Sequence, residues 1–404
     1  MYAFDYAIAK TNVHMPASDG RTPLAMNASS EPLGDCVLSH HWLVRHRGGE
    51  RVLAAIRRLA PRAPVYTLLH DPAYTDAPPF RLYADDRAPV IASWLQNAPE
   101  ALRHYPKYLP LMPAAARSLR LPDKPLAICS DAALAKAMRV GDGTRLVCYC
   151  HSPPRYVWDL ADQYAQTLPR PLRALWPPLV RALRRADRVA AQRVDLFIAN
   201  SAHVAARIRR HYERDAVVVH PPVDLPPDPH DGRRDDFYLC VGHHVAYKRL
   251  DLAIEACERL GRRLVVVGDV PRETISRPRA YRWVEFRGVV SDEGLKRHYR
   301  SARALLFPGE EDFGIVPVEA QAHGCPVIAY GVGGARETVV DGTTGVLFKP
   351  QTVDALIAAM ERADRLTFDP LALWEHCRRF RPERFDAEFR AVLDEAGPSP
   401  QERL

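Results

Sequence analysis

Short apolar runs alternate with amphipathic stretches along almost the whole chain, and this rhythm breaks once and then restarts. In the first half the strand-like runs are Cys36–His40, Val65–Leu69, Leu126–Ser130, Arg145–Tyr149, Leu196–Asn200 and Val217–His220. Between them lie helix-like stretches over Glu50–Leu59, Asp131–Arg139 and Ser201–Tyr212, and Ser201 directly after a strand is placed to cap the next helix. Strands and helices in strict alternation imply a parallel sheet covered on both faces. Residues 221–236, PPVDLPPDPHDGRRDD, are proline and charge with almost nothing apolar, which is the composition of a linker. The alternation then resumes with strands Phe237–Val241, Arg263–Val267, Val284–Arg287, Ala304–Phe307 and Pro326–Tyr330, and with helices Leu250–Leu260, Asp292–Ala302 and Pro317–His323. Two longer helices, Val353–Leu366 and Pro382–Leu393, close the chain.

A chain of 404 residues exceeds one ordinary core, so two doubly wound α/β domains are expected. The sequence divides into a disordered leader (1–34), an N-terminal domain (35–221), the linker (222–236), a C-terminal domain (237–380) and a terminal helical segment (381–404). Ligands of such domains bind at the carboxyl ends of the strands, and two facing domains would enclose them in a cleft. Met1–Lys10 lacks the charged and apolar regions of a signal peptide, and no apolar run is long enough to span a bilayer. The eight cysteines are scattered without a CxxC pair, which reads as reduced, buried thiols in a cytoplasmic protein. A net charge of +7 attracts phosphate of any kind but does not choose among nucleotides, nucleic acid and anionic lipid.

The richest segment is Glu310-Glu311-Asp312-Phe313-Gly314-Ile315-Val316-Pro317-Val318-Glu319-Ala320. It follows a strand; Pro317 suits the first turn of a helix and Gly324 its end. Glu311 therefore falls on the loop and Glu319 in the first helical turn. Phe313-Gly314-Ile315 lies where amide N–H groups converge, an anion site by geometry. Two carboxylates beside such a site can accept from vicinal hydroxyls, so the set matches the ribose, diphosphate and hexose of a sugar nucleotide. A pair of glutamates alone would be an acidic loop and an ordinary N-terminal helix glutamate; the eleven-residue string outweighs that reading.

With this string the chain resembles the retaining glycosyltransferases of family 4, whose E-x7-E element is matched by Glu311 and Glu319 with Phe313-Gly314 between them. The resemblance extends from residue 35 over most of the chain: Arg47-Gly48-Gly49-Glu50, Leu69-His70-Asp71-Pro72, Tyr149-Cys150-His151-Ser152-Pro153, Asn200-Ser201, Pro221-Pro222-Val223-Asp224, Tyr247-Lys248-Arg249, Gly333-Gly334-Ala335-Arg336-Glu337 and Asp341-Gly342-Thr343-Thr344-Gly345. It is nearest the mannosyltransferase-like branch of bacterial surface-polysaccharide biosynthesis. The resemblance implies a GT-B fold and transfer with retention of configuration, and a last helix that crosses back onto the first domain. It makes Glu319 the partner of the donor ribose and Glu311 the partner of the sugar hydroxyls, and gives Phe313, Gly314 and Ile315 backbone contacts to that sugar. Lys248 matches the cation on the donor diphosphate. Where the family has a paired arginine five residues earlier, this chain has His243, followed by His244, so Arg249 or a histidine is the substitute. Gly48-Gly49 borders donor phosphate and acceptor, His151 stands beside the reacting sugar, and Gly268 opens a phosphate-facing turn. His41 stands where relatives often carry aspartate.

No Asp-x-Asp motif occurs and the sixteen histidines show no HExxH spacing, so transfer without a metal and without a cofactor is expected. No full GxGxxG or GxxxxGK[ST] is present, which disfavours a nicotinamide dehydrogenase and a P-loop NTPase. Residues 170–193 carry seven arginines interleaved with apolar residues. Peripheral contact with an anionic membrane and an ordinary solvated helix face remain equally open for this stretch; no nucleic-acid-binding signature is present. The expected donor is GDP-mannose, with a UDP-hexose second, and the expected acceptor is a polyprenyl-diphosphate-linked glycan at the inner membrane face. A catalytically silent subunit of the same fold is the reading from another class.

Overall fold

The computed structural model describes residues 32–45, 48–75, 88–229, 234–270 and 281–395. Nearly all of the expected leader, together with Arg47 of the Arg47-Gly48-Gly49-Glu50 run and part of the linker, lies outside the described residues.

Strands β1 (Cys36–His40), β2 (Val65–Thr67), β3 (Val90–Ala92), β4 (Leu126–Asp131), β5 (Arg145–Cys150), β6 (Leu196–Ala199) and β7 (Ala216–Val218) form a sheet in the order β3-β2-β1-β4-β5-β6-β7. A second sheet, β10-β9-β8-β11-β12-β13, is built from β8 (Tyr238–Val241), β9 (Leu264–Val267), β10 (Val284–Gly288), β11 (Ala304–Phe307), β12 (Val327–Tyr330) and β13 (Gly345–Phe348). Its neighbouring strands are all parallel. In both sheets the chain runs outward in one direction, returns to the centre and runs outward in the other. The order therefore reverses beside β1 in the first sheet and beside β8 in the second, and at such a switch point the loops leaving adjacent strands diverge and open a crevice.

The helices that carry the argument are α1 (Gly48–Leu59), α2 (Trp176–Gln192), α3 (Ala202–Tyr212), α4 (Leu250–Leu260), α5 (Asp292–Ser301), α6 (Ile315–Ala322), α7 (Ala335–Thr338), α8 (Val353–Asp364), α9 (Pro370–Cys377) and α10 (Pro382–Glu395). Several starts follow from a single capping side chain. Ser201 accepts from Val204 N at 3.1 Å, Ser291 from Gly294 N at 3.2 Å and Thr352 from Ala355 N at 3.3 Å. The second sheet is buried on both faces. Tyr238, Leu264, Val266, Leu306 and Ile328 pack with Leu252 of α4 and with Leu356 and Met360 of α8. The alternate residues Leu239, Val265, Leu305 and Val327 pack with Tyr299 and Ala320 on the other side. Near-continuous apolar runs are what a strand covered on both faces requires.

Three sequence expectations need correction. Asp131–Arg139 is not a helix: β4 runs on through Asp131, and only a 3-10 turn forms over Ala135–Ala137. The cause is the Asp131 side chain, which accepts from the amides of Ala133 and Ala135 at 2.8 and 3.0 Å and so competes with helical hydrogen bonding. Helix α6 begins at Ile315, two residues before the expected Pro317, which moves Glu319 into the second turn. Strands β3 and β13 and helix α9 were not anticipated. The chain forms two compact units, one reaching to Phe197 and the other beginning at Ile198.

All eight cysteines are free and buried. Among the described residues no helix is long and apolar enough to cross a membrane.

Candidate active site

The second unit assembles its site at the switch point of its sheet. The loop after β8 contains Gly242, at φ +132°, and then a 3-10 turn over Ala246–Lys248. The loop after β11 runs from Pro308 to Gly314. These loops touch at Gly309, where an added Cβ would lie 2.6 Å from Lys248 Cα. Only glycine permits that approach. It brings Lys248 Nζ to 2.9 Å from Glu311 Oε1, with both side chains partly exposed at 23% and 17%. A small cleft between the loops is lined by Cys240, Val241, His244, Lys248, Phe307, Gly309 and Glu311.

The Glu311 loop is fixed from two further directions. Gly334 N donates to Glu311 O at 2.9 Å, and Cβ atoms on Gly333 and Gly334 would meet Glu311 O at 2.4 Å and Phe313 Cα at 2.3 Å. Ser201 Oγ donates to Asp312 O at 2.6 Å, and the Arg207 guanidinium pairs with the Asp312 carboxylate. Phe313 is buried against Phe380 and His220, at ring separations of 5.4 and 5.5 Å. Its backbone is therefore what it can offer a ligand. Gly314, at φ +90°, caps α6 and has no side chain to accept from the first amides of that helix. Glu319 accepts from Tyr299 OH at 3.1 Å, which orients its carboxylate from a wholly buried phenol.

The expected second cation takes another form. His243 Nδ1 sits 3.1 Å from Asp269 Oδ2. His244 is buried, its Nε2 3.1 Å from Val267 O, and burial holds its pKa down at about 4, so the ring is neutral near pH 7. Arg249, in the left-handed region at φ +53°, forks onto Asp251 and reaches Gln351. Gly268, at φ +112°, packs so closely on Gly242 that a Cβ would lie 2.1 Å from Gly242 O; it shapes the crossing of the two loops. Glu337 accepts from the amides of Ala202 and His203, at 2.9 and 3.1 Å, and pairs with His220 at 3.1 Å. Burial opposes its ionisation, but those hydrogen bonds overcome it and hold its carboxyl below the usual range. It is thus a second cap for α3, the helix that braces Asp312.

The first unit gathers a second polar cluster at its own switch point. His40 ends β1, Ser130 and Asp131 end β4, and His151 follows β5. Ser130 Oγ lies 3.0 Å from His40 Nδ1 and 2.8 Å from His151 Nε2. Gly49, in the first turn of α1, packs on this pair: a Cβ there would stand 3.5 Å from His151 Nε2 and 3.6 Å from His40 Cε1. Burial, and then the neighbouring His41 ring, push the His151 pKa down to about 3, against an opposing pull from Asp131. His151 is therefore a neutral hydrogen-bonding group rather than a cation. Beneath it Lys136 is buried between Asp131 and Asp187, at 2.9 and 2.6 Å, and Asp187 also accepts from Trp158 Nε1 at 2.8 Å.

Sequence reasoning thus placed Gly49 and His151 together in one unit, and Lys248, Glu311, Phe313, Gly314, Ile315 and Glu319 around one loop in the other. It missed Gly309, Asp312, Arg207 and Ser130. Asp312 lies in the very string it singled out and Gly309 immediately before it, but close backbone approach and a carboxylate turned inward leave no residue pattern of their own.

Residues 46–226 match the family model described as Glycosyltransferase Family 4, and residues 236–363 the model described as Glycosyl transferases group 1. D-inositol 3-phosphate glycosyltransferase of Streptomyces scabiei is 35% identical over 205 residues, 42% of this chain and 46% of that protein. Glycogen synthase of Xanthomonas oryzae is 33% identical over 160 residues, 37% of this chain and 31% of that protein. The chain spans less than half the length of these curated relatives. Among solved structures, Anabaena HepE in complex with UDP-glucose superposes with a TM-score of 0.61 at 17% identity, over 90% of this chain and all of that one.

Proposed function

From the premise that this chain carries two glycosyltransferase domains in a GT-B fold, we propose that it transfers a hexose from a nucleotide diphosphate donor to an acceptor hydroxyl. The observation that carries this is the Lys248–Glu311 pair at the point where the loops after β8 and β11 diverge. A cation and a carboxylate side by side, with the N-terminus of α6 next to them, match the two ends of a sugar diphosphate. Lys248 and the α6 amides take the diphosphate, whose negative charge grows as the sugar departs; a fixed cation stabilises that charge most where it is greatest. Glu311 and the backbone of Phe313, Gly314 and Ile315 take the sugar hydroxyls. Glu319, oriented by Tyr299, takes the ribose. His151 offers a neutral ring to a hydroxyl, and Gly48-Gly49 allows close approach of phosphate or acceptor.

In this reading Lys248 and the helix N-terminus stand where a divalent ion otherwise would. The departing phosphate helps remove the acceptor proton on the same face of the sugar, which retains configuration. His243, paired with Asp269, supplies no unshared second charge, so Lys248 carries most of the diphosphate recognition. The proposed donor is GDP-mannose and the proposed acceptor a polyprenyl-diphosphate-linked glycan. The arginine-rich stretch 170–193, with Leu172 and Leu175 exposed, supports peripheral contact with the inner face of an anionic membrane. A UDP-hexose donor is the second reading, favoured by the UDP-glucose bound to the HepE structure.

The test is nucleoside diphosphate release from GDP-mannose and from UDP-hexoses in the presence of a chelator. Turnover of one donor that survives chelation and is lost in Lys248→Ala is the expected result. A protein that binds donor but never turns it over, with any acceptor tried, is the silent subunit instead.

A further inference from the structure

Three consecutive acids, Glu310, Glu311 and Asp312, lie on the loop after β11, where the reading above places a sugar diphosphate. An anion entering such a loop meets like charge unless the carboxylates are matched by bases. The matching is done side chain by side chain. Glu311 has Lys248 at 2.9 Å, Asp312 has the Arg207 guanidinium, and Glu310 has His203 at 3.6 Å. Glu337, which caps α3 beside them, has His220 at 3.1 Å. The two histidines carry charge only when protonated, whereas lysine and arginine carry it at any working pH. Lys248 is committed by the proposed reading to the donor diphosphate. Arg207 is thus a permanent cation that balances the loop itself.

The seat of the loop does not hang on Arg207. Ser201 Oγ donates to Asp312 O at 2.6 Å, and Gly334 N donates to Glu311 O at 2.9 Å, so the backbone is held by other groups. Arg207 meets the Asp312 side chain instead. It projects from the second turn of α3, a helix whose start is fixed by Ser201 and Glu337. Both members of the pair are largely shielded, with side-chain exposures of 9% and 17%, so their charges act through a medium less polar than water. Asp312 stands between Glu311 and Phe313, with Cα atoms about 3.8 Å apart along the chain. Both of those neighbours contact the donor in the proposed reading, so the charge on Asp312 is felt across it.

We propose that Arg207 is a positioning residue for the donor that works by charge: by neutralising Asp312 it lets a diphosphate approach a loop of three acids. The inference rests on the reading of this loop as the donor site. It assigns Arg207 no contact with the ligand; the guanidinium acts through Asp312.

The test follows nucleoside diphosphate release from GDP-mannose and from UDP-glucose, with KM and kcat measured for whichever of the two the wild type turns over. Arg207→Gln keeps hydrogen-bonding capacity and removes the charge, and is expected to raise the donor KM about three- to tenfold with a smaller change in kcat. Asp312→Asn removes the acid and is expected to lower KM, about two- to threefold, because the remaining guanidinium then attracts the diphosphate. Arg207→Gln/Asp312→Asn, with neither charge, brings KM back toward the wild-type value, and Arg207→Lys stays closer to wild type than Arg207→Gln. Opposite signs from the two single variants are what charge requires; a brace that only holds the loop makes both variants worse. If Arg207→Gln does not fold with its acid left unmatched, the double variant set against Asp312→Asn reads the same step. KM shifts of the same sign, or no shift from either single variant in an active protein, overturn the inference and leave the donor site standing. A wild type that releases nucleoside diphosphate from neither donor overturns the donor reading, and the inference with it.

Discussion

Lys248 and Glu311 are 63 positions apart in sequence, yet their charged atoms lie 2.9 Å apart because Gly309 lets one loop pass against the backbone of the other. Each removes the other's isolation, and each is also a candidate contact for donor. Lys248→Ala leaves a partly buried carboxylate without its ion partner, so a loss of about 1–2 kcal/mol of stability is expected. Its effect on turnover is larger, a fall in kcat/KM of about 10²–10³, since a fixed cation acts on charge that develops in the transition state. Glu311→Gln keeps the shape of the side chain and should raise KM more than it lowers kcat. Urea melts and initial rates on both variants check this; equal effects on kcat from the two would contradict the division of roles.

The close packing of Gly334 on Phe313 makes a second prediction. A Cβ at Gly334 would meet backbone at 2.3 Å, so Gly334→Ala must displace the Glu311–Gly314 loop, at about 1–3 kcal/mol. Gly331→Ala is the control, because its nearest neighbour, at 3.4 Å, is the flexible end of Lys349. Donor affinity and melting temperature should fall in the first variant and stay near wild type in the second. Equal behaviour would mean that the loop position does not govern binding.

The fold was legible because the signals are local and repeated. Apolar runs of four to six residues fixed β1, β4, β5, β9 and β11 to within a residue or two, and Ser201 marked the start of α3. What failed was short or contested. Strand β3 is only three residues long. Asp131–Arg139 has helical composition, but the Asp131 carboxylate takes the amides a helix would need. In the site, Glu311, Glu319 and Lys248 were legible as a motif. The inward pairing of Asp312 with Arg207, 105 positions away, and the Ser130 bridge between two histidines exist only once the sheets are formed.

That bridge fixes a tautomer. His40 Nε2 is buried without a hydrogen-bond partner, so a proton there would be an orphaned donor; the proton belongs on Nδ1, donating to Ser130. Ser130 then spends its one hydrogen on His151 Nε2, which leaves His151 protonated at Nδ1. Nitrogen-15 chemical shifts of the His151 ring should report that single neutral form in the wild type and a mixture in Ser130→Ala, with kcat lowered about tenfold. A wild-type ring protonated at Nε2 would contradict the assignment.

The depressed histidines set the acid side of the stability profile. His151 and His244 have folded pKa values of about 3 and about 4, below the value of 6.5 in the unfolded chain. Between those limits the unfolded chain binds more protons, so stability is full above pH 6.5 and falls as pH drops toward 4, by up to about 1.4 kcal/mol per pH unit for each such histidine. Urea midpoints at pH 7.5, 6 and 5 should decline in that order, and His244→Gln should flatten the decline if it folds. A midpoint constant from pH 7.5 to 5 would show that these rings are accessible to protons in the native state.

The central claim concerns where the donor's diphosphate goes, and a crystal structure of the protein with GDP-mannose, grown with a chelator present, tests it most directly. The account predicts diphosphate oxygens within hydrogen-bonding reach of Lys248 Nζ and of the first amides of α6, with the ribose on Glu319. A diphosphate bound away from both Lys248 and α6, or one that orders only around an added divalent ion, would contradict it.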